Sequence, residues 1–312
     1  MRFSVTILGC NSALPTSERN PTAQVLNVSE RFFLVDCGEG TQMQLRKNKI
    51  RFTRISHVFI SHLHGDHCFG LPGLLSTLGL LGRTADLHIY GPSDTEKVFG
   101  PILAFFCRDM KYKVCFHSVD TDKSELVYED KRVEVFSIPL THRIPACGYL
   151  FREKEAERHI IRESLDFYNI PVKWIPLIKK GLDYVSEDGT VIPNSVLTKP
   201  SVKARSYAFC SDTKYSEAII PVIKDVDLLY HEATFLSDNE GLADMTFHST
   251  ARQAAEIAKK AGVKKLILGH YSTRYKNTDL FRKEAAEVFQ ESYLAEDGMT
   301  FDIPYSGRDS EF

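Results

Sequence analysis

Ser61-His62-Leu63-His64-Gly65-Asp66-His67 sets three histidines and a carboxylate within six residues, directly after the apolar run Val58-Phe59-Ile60. If that run is a buried strand, His62 and His64 leave its end two residues apart and point to the same side, where two neutral imidazoles can share one zinc. Gly65 then lets the backbone turn. Asp66 and His67 follow the turn and cannot easily reach the same ion, so the spacing implies a second metal a few ångströms away. Histidines that merely cap a strand do not require four ligand-type residues at this density. The stretch reads as a two-metal hydrolase signature.

Outward from it, the same pattern recurs three times. His142 follows the alternating run Val133 to Thr141, Asp212 follows Tyr207 to Ser211, and His270 follows Lys265 to Gly269. Strand ends converging on one edge of a sheet are where layered folds build their sites. Asp36 closes a further strand, Arg31 to Val35, and a carboxylate there can hold a metal-binding histidine by its other ring nitrogen. His57, His88, His117 and His159 lack ligand spacing or a strand-end context and read as structural or surface residues.

The opening stretch resembles the His-x-His-x-Asp-His motif of the metallo-β-lactamase superfamily, which includes lactamases, thiolesterases, phosphodiesterases and nucleases. Val35-Asp36-Cys37-Gly38-Glu39-Gly40-Thr41-Gln42 before it and Phe69-Gly70-Leu71-Pro72-Gly73-Leu74-Leu75 after it look like the ribonuclease Z family of tRNA 3′-end processing endonucleases. Tyr230-His231-Glu232-Ala233-Thr234 and Phe247-His248-Ser249-Thr250 match that family's His-Glu-Ala-Thr and His-Ser-Thr segments. Pro15-Thr16-Ser17-Glu18-Arg19-Asn20 resembles its Pro-Thr-x-x-Arg-Asn loop, which helps select substrate. The resemblance covers nearly the whole chain, weakening only between residues 151 and 200 and at the last residues.

The resemblance implies an α/β fold, the metallo-β-lactamase αββα four-layer sandwich with an inserted arm. Residues 1–150 and 201–312 would be the two halves of one catalytic domain, and 151–200 the arm that grips tRNA. It implies two Zn2+ per subunit, with His62, His64 and His142 on one, Asp66, His67 and His270 on the other, and Asp212 bridging. Asp66 would also orient or deprotonate the attacking water, and His248, backed by Glu232, would protonate the leaving oxygen. Precursor tRNA would be the substrate and a homodimer the working form. His64 stands where the related flavo-diiron proteins carry glutamate, which favours a nitrogen-rich zinc set over redox iron.

Size and composition agree with an ordinary globular enzyme. The chain has 312 residues, enough for one layered domain with an insertion, and 43% hydrophobic against 26% charged residues leave a sizeable core. The first ten residues alternate like a strand, and the longest apolar region, Leu71 to Leu81, is interrupted by Pro72, Gly73, Ser76, Thr77 and Gly79. A cytoplasmic protein without a membrane partner is expected. Seven cysteines without a Cys-x-x-Cys pair argue against a disulfide framework or a zinc ribbon. With a formal net charge of −2, RNA must meet a local basic patch, for which Arg46 to Arg54 is the candidate.

Three local expectations complete the reading. Thr41 with Gln44 forms a capping box that starts a helix toward Arg46. Thr250 with Gln253 forms another, starting a helix Ala251 to Lys260 that Gly262 ends, so His248 stands just before a helix N-terminus that attracts phosphate oxygens. Between 151 and 200, a charged helix-like piece from Glu153 to Arg162 precedes a proline- and glycine-punctuated stretch. There the usual glycine-proline-rich tip of the family's arm is replaced by Ile170 to Gly181.

A small-molecule metal phosphodiesterase or thiolesterase on the same fold would need neither the insertion nor a basic patch. A non-catalytic tRNA-binding relative would not need the full ligand set. A diiron oxidoreductase would need a flavin domain that this chain lacks.

Overall fold

The computed structural model describes residues 2–305. The chain forms two compact units, Met1–Arg152 with Arg205–Pro304, and a second that contains Glu153–Ala204. In the first half the elements are β1 (Phe3–Gly9), β2 (Ala23–Val28), β3 (Arg31–Val35), α1 (Thr41–Lys47), β4 (Ile55–Phe59), α2 (Gly65–Cys68), α3 (Leu71–Leu80), β5 (Leu87–Gly91), α4 (Thr95–Phe106), β6 (Val114–Ser118), β7 (Leu126–Glu129), β8 (Val133–Pro139) and β9 (Cys147–Glu153). The second unit carries β10 (His159–Ile160), α5 (Arg162–Phe167), α6 (Ile175–Lys179), β11 (Tyr184–Val185), β12 (Val191–Ile192), α7 (Asn194–Leu197) and β13 (Thr198–Lys199). The chain then returns through β14 (Ser206–Cys210), β15 (Leu228–Glu232), α8 (Glu240–Thr246), α9 (Ala251–Ala261), β16 (Leu266–Gly269), α10 (Asp279–Ala286), β17 (Ser292–Leu294) and β18 (Thr300–Asp302).

The first unit holds two seven-stranded sheets, ordered β18-β1-β2-β3-β4-β5-β6 and β17-β16-β15-β14-β9-β8-β7. Strand alternation decides their layering. Phe3, Val5 and Ile7 of β1, Phe33 and Val35 of β3, and Phe59 of β4 point into one core with Tyr149 and Phe151 of β9 and Tyr207 and Phe209 of β14. Ring centroids of Phe59 and Phe151 lie 5.2 Å apart across that seam. The opposite face of the first sheet, Val25, Leu34, Val58 and Ile89, buries Leu45 of α1, four leucines of α3, and Phe99 and Leu103 of α4. The alanine-rich face of α9 and Phe281 and Ala285 of α10 join the core on the second sheet's side. The result is the αββα layering expected from the sequence.

Direction matters more than layering for the site. β3 and β4 run parallel, as do β14, β15 and β16, so each set sends its carboxyl ends to one edge. That edge receives Asp36, His62, Asp212, Glu232 and His270. Arg46 to Arg54 runs from the last turn of α1 to the amino end of β4, the opposite end of that strand.

The second unit has its own apolar cluster of Leu165, Ile170, Ile178, Tyr184, Ile192 and Leu197, with Ile160, Trp174 and Ile175 packed on it. Two short antiparallel pairs, β10 with β13 and β11 with β12, frame it. The helix-like reading of Glu153 to Arg162 is corrected here: β9 runs to Glu153, β10 follows at His159–Ile160, and the helix begins only at Arg162. Strand pairing with Thr198 and Lys199 overrides local helix propensity in that piece.

One of the two capping boxes forms. Thr250 caps α9 with reciprocal bonds to Gln253, and Gly262 at φ 66 ends the helix. At α1 the cap is instead Gly40 at φ 81, and the Thr41 hydroxyl donates back to the Gly38 carbonyl at 2.6 Å. A glycine able to turn left-handed shifts the helix start by one residue and takes Thr41 out of the cap position.

Candidate metal centre

Four imidazoles are held by their Nδ1 atoms so that Nε2 faces one another's neighbourhood. Asp36, fully buried, accepts the Ser61 backbone N–H at 2.7 Å and the Ser61 hydroxyl at 2.9 Å, and lies 2.7 Å from His67 Nδ1. With its proton given to Asp36, the Ser61 oxygen accepts from His62 Nδ1 at 3.0 Å. Thr234 repeats the device: its hydroxyl donates to Glu232 Oε2 at 2.7 Å and accepts from His270 Nδ1 at 2.9 Å. His142 Nδ1 donates to the Phe247 carbonyl at 3.1 Å. Each acceptor fixes the tautomer and leaves an Nε2 lone pair for a cation.

Those lone pairs converge in two places. His62 Nε2 and His142 Nε2 lie 3.1 and 3.2 Å from His64 Nδ1. His67 Nε2 and His270 Nε2 face each other at 3.3 Å, with Asp66 Oδ2 3.4 Å from both. Asp212 spans the two places: Oδ1 is 3.1 and 3.0 Å from His67 and His270, while Oδ2 is 3.6 and 3.8 Å from His62 and His142. His62, His64, His142 and Asp212 present ligand atoms all within 4.8 Å of one another, as do Asp66, His67 and His270. A buried set of nitrogen lone pairs this close repels itself unless cations sit among them, so the donor chemistry fits two metals. Among the described residues, His57, His88, His117 and His159 join no such group.

Electrostatics point the same way. Burial alone would depress the His67 imidazole, but the Asp212, Asp66 and Asp36 carboxylates push it well above its ordinary range. Burial likewise opposes ionisation of Asp212, yet His270, His67 and His62 hold its carboxyl well below the usual range. The field between these groups therefore favours positive charge at His67 Nε2, supplied by a proton or by a metal. Burial, with His67 as second cause, keeps His62 neutral, the form that ligates.

His248 stands at the edge of this cluster, its ring nitrogen within 4.8 Å of ligand atoms of Asp212 and His270. Its Nδ1 is 2.8 Å from Glu232 Oε1, and Glu232 is fully buried, its other oxygen held by the Thr234 N–H and hydroxyl. Burial would lower the imidazole, but Glu232 outweighs it and carries His248 up to about 9. That shift favours the imidazolium form.

A cavity of about 580 Å³ opens over these groups, with His64, Asp66, His142, Asp212, His248 and His270 among its lining. His62, His67 and Glu232 sit behind that wall. Sequence reasoning missed three groups that set the tautomers, Ser61, Thr234 and the Phe247 carbonyl, although all three lie inside quoted motifs. It also missed the Ala13 backbone N–H, which donates to Asp66 Oδ2 at 2.8 Å; a main-chain donor leaves no sequence signal.

A family model described as a beta-lactamase superfamily domain matches residues 196–271, and one described as anti-Pycsar protein Apyc1 matches residues 3–98. The chain is 52% identical to ribonuclease Z of Parabacteroides distasonis over 301 residues, 96% of this chain and 99% of that protein. It is 53% identical to ribonuclease Z of Bacteroides thetaiotaomicron over 302 residues, 97% of this chain and 96% of that one. Human tRNase Z, short form, superposes with a TM-score of 0.70 at 28% identity, covering 96% of this chain and 99% of its own. A metallo-beta-lactamase fold protein from Bacillus subtilis reaches a TM-score of 0.69 at 20% identity over 97% and 100% of the two chains, a likeness of fold alone.

Proposed function

The chain belongs to the ribonuclease Z family of endoribonucleases, and from that premise we propose that it removes the 3′ trailer from tRNA precursors in a zinc-dependent reaction. One observation carries the reading: His64 and His142 of one cluster, Asp66 and His270 of the other, the Asp212 carboxylate between them and the Glu232-backed His248 line a single open cavity. His62, His64 and His142 would hold one zinc, Asp66, His67 and His270 the other, with Asp212 shared. When bound, the ions supply Lewis acidity, lowering the pKa of water toward ~7 and offsetting charge on the phosphate oxygens.

The chain's own residues do the rest. Asp66, oriented by the Ala13 N–H, takes the proton of the attacking water. The water oxygen adds to the phosphorus after the discriminator nucleotide, and the bond from phosphorus to the 3′ oxygen breaks. His248 delivers its Nε2 proton to that leaving oxygen, and Glu232 stabilises the imidazolium beforehand and keeps the ring aimed. The products are a tRNA 3′-hydroxyl and a trailer 5′-phosphate. The second unit serves as the tRNA-gripping arm of a homodimeric enzyme, and the reaction belongs to the cytoplasm; among the described residues no helix is long and apolar enough to cross a membrane.

Incubating purified protein with an unprocessed tRNA transcript, with and without chelator, tests this. A single cut after the discriminator, lost on chelation and restored by zinc, is expected. Cleavage that survives chelation, or a cut elsewhere, contradicts it.

A further inference from the structure

Asp297 lies in the turn between β17 and β18, yet its carboxylate is committed to a loop at the start of the chain. Oδ2 accepts the Asn20 backbone N–H at 2.7 Å and the Asn20 side-chain amide at 2.8 Å. Oδ1 accepts the thiol of fully buried Cys10 at 3.4 Å. Asn20 in turn closes the loop on its own base: the Asn11 N–H donates to the Asn20 carbonyl at 3.0 Å, and Arg19 Nε donates to Asn11 Oδ1 at 3.1 Å. The Asn11 amide also donates to the Leu14 carbonyl.

From this base the loop enters the site twice. The Ser12 N–H donates to the carbonyl of Tyr271, the residue after His270, at 3.1 Å. The Ala13 N–H reaches Asp66, with Ala13 at φ 55. A left-handed alanine persists only where surrounding contacts over-determine it. Ser12, Ala13 and Pro15 line the cavity, while Leu14 is 63% exposed and Pro15 to Glu18 face solvent. The tip closes on itself through Thr16 and Arg19, and Arg19 Nη2 donates to the Tyr275 carbonyl at 3.2 Å, but the base is where one carboxylate, that of Asp297, accepts two hydrogen bonds from one residue.

We propose that Asp297 is a positioning residue, latching the loop Ser12 to Arg19 so that it meets the RNA strand entering the cavity in one conformation. This rests on the endoribonuclease reading above. The enzyme never has to touch substrate with Asp297; it acts through Asn20 and Asn11.

The test compares Asp297→Ala and Asp297→Asn with the parent, all zinc-loaded, by hydrogen–deuterium exchange and by kinetics on precursor tRNA and on bis(p-nitrophenyl) phosphate. Asparagine keeps an oxygen that accepts from Asn20 and serves as the rescue variant. The alanine variant should exchange faster at residues 12–20 with β14 unchanged. Its KM for precursor tRNA should rise roughly tenfold, whereas kcat and small-diester turnover, which feel the loop through the Ala13 N–H on Asp66, should fall by no more than about threefold. The asparagine variant should match the parent throughout. Unchanged exchange at 12–20 overturns the latch, and faster exchange with an unchanged KM overturns its role toward RNA. A parallel fall of both activities with the melting temperature, unrescued by asparagine, makes the residue merely structural and also overturns it. Should the alanine variant not fold, Asn20→Ala removes one arm of the latch and must move exchange and KM in the same direction. A parent that leaves precursor tRNA uncut defeats the endoribonuclease reading instead, and the exchange measurement still decides the latch.

Discussion

Asp36, Asp212 and His270 all hold left-handed backbone, at φ 56, 58 and 60, directly after or two residues past the end of a strand. Each costs about 1 kcal/mol or more relative to a relaxed conformation, tolerable for Asp and His and recovered through the contacts it allows. The turn swings each side chain off the strand line toward the centre. Asp212 is the residue on which both proposed metals depend, because one of its oxygens faces each cluster. Asp212→Ala should therefore lose both zincs by metal analysis, whereas His57→Ala should keep both; equal metal content in Asp212→Ala and the parent would sink the assignment. The role proposed for His248 is proton transfer, resting on its pairing with the buried Glu232 carboxylate. His248→Ala should lose roughly 10² to 10⁴ in single-turnover rate with near-normal tRNA affinity. Collapse of affinity with a surviving saturated rate would make it a binding residue.

At the scale of elements, the rule that a ligand follows an alternating apolar run was readable because strand direction and residue period are local properties. The cap at α1 was not, since Gly40 and Thr41 compete for the same position and only the backbone decides. Strands β4, β5 and β6 add a feature that the bland reading of their histidines leaves out. His57 and His88 stack with centroids 5.2 Å apart, His88 Nδ1 lies 2.9 Å from His117 Nε2, and the His57 Nδ1 is buried without a hydrogen-bond partner. Burial, then the neighbouring His88, depresses His57 to about 4, with Asp130 opposing and His117 and Arg83 reinforcing. The unfolded chain takes this proton near 6.5, the folded chain only near 4. Between those values the unfolded state binds more protons, so stability is full above about 6.5 and falls as pH drops. By pH 5 the loss from this residue should approach about 2 kcal/mol. Urea unfolding at pH 7.5 and pH 5 should show that difference shrinking in His57→Phe, whose ring suits the flanking Phe33 and Tyr128. An identical drop in both proteins would assign the acid sensitivity to other groups.

Across the whole molecule, the layering and the edge that carries the site were legible, because the motif words and the strand ends they follow are contiguous. Contacts that join distant segments were not: Asp297 and Asn20 are 277 residues apart, and nothing near either announces the other. The second unit was legible only as an interruption, and its interior turned out to be a small core between two strand pairs rather than a charged helix and a loop. That core changes how its role must be tested. Lys179 is paired with Glu157 at 3.4 Å, while Lys173 and Lys180 are exposed near Phe167, 77% exposed, and Val172, 79% exposed, in sequence. Exposed cations on the same small unit as exposed apolar side chains suit contact with a nucleic-acid backbone. A deletion ending at Pro193 would strand Leu197 and the β13 partner of β10, so the whole of residues 154–203 should be exchanged for a short glycine-serine linker. Arg152 and Ser206 are cross-strand partners in β9 and β14, which places the two cut ends side by side. An arm that grips tRNA predicts that this variant loses precursor cleavage while hydrolysis of a small chromogenic phosphodiester is largely retained. If both activities fall together in a protein that still folds and holds its zincs, the segment completes the active site and the gripping role must be abandoned.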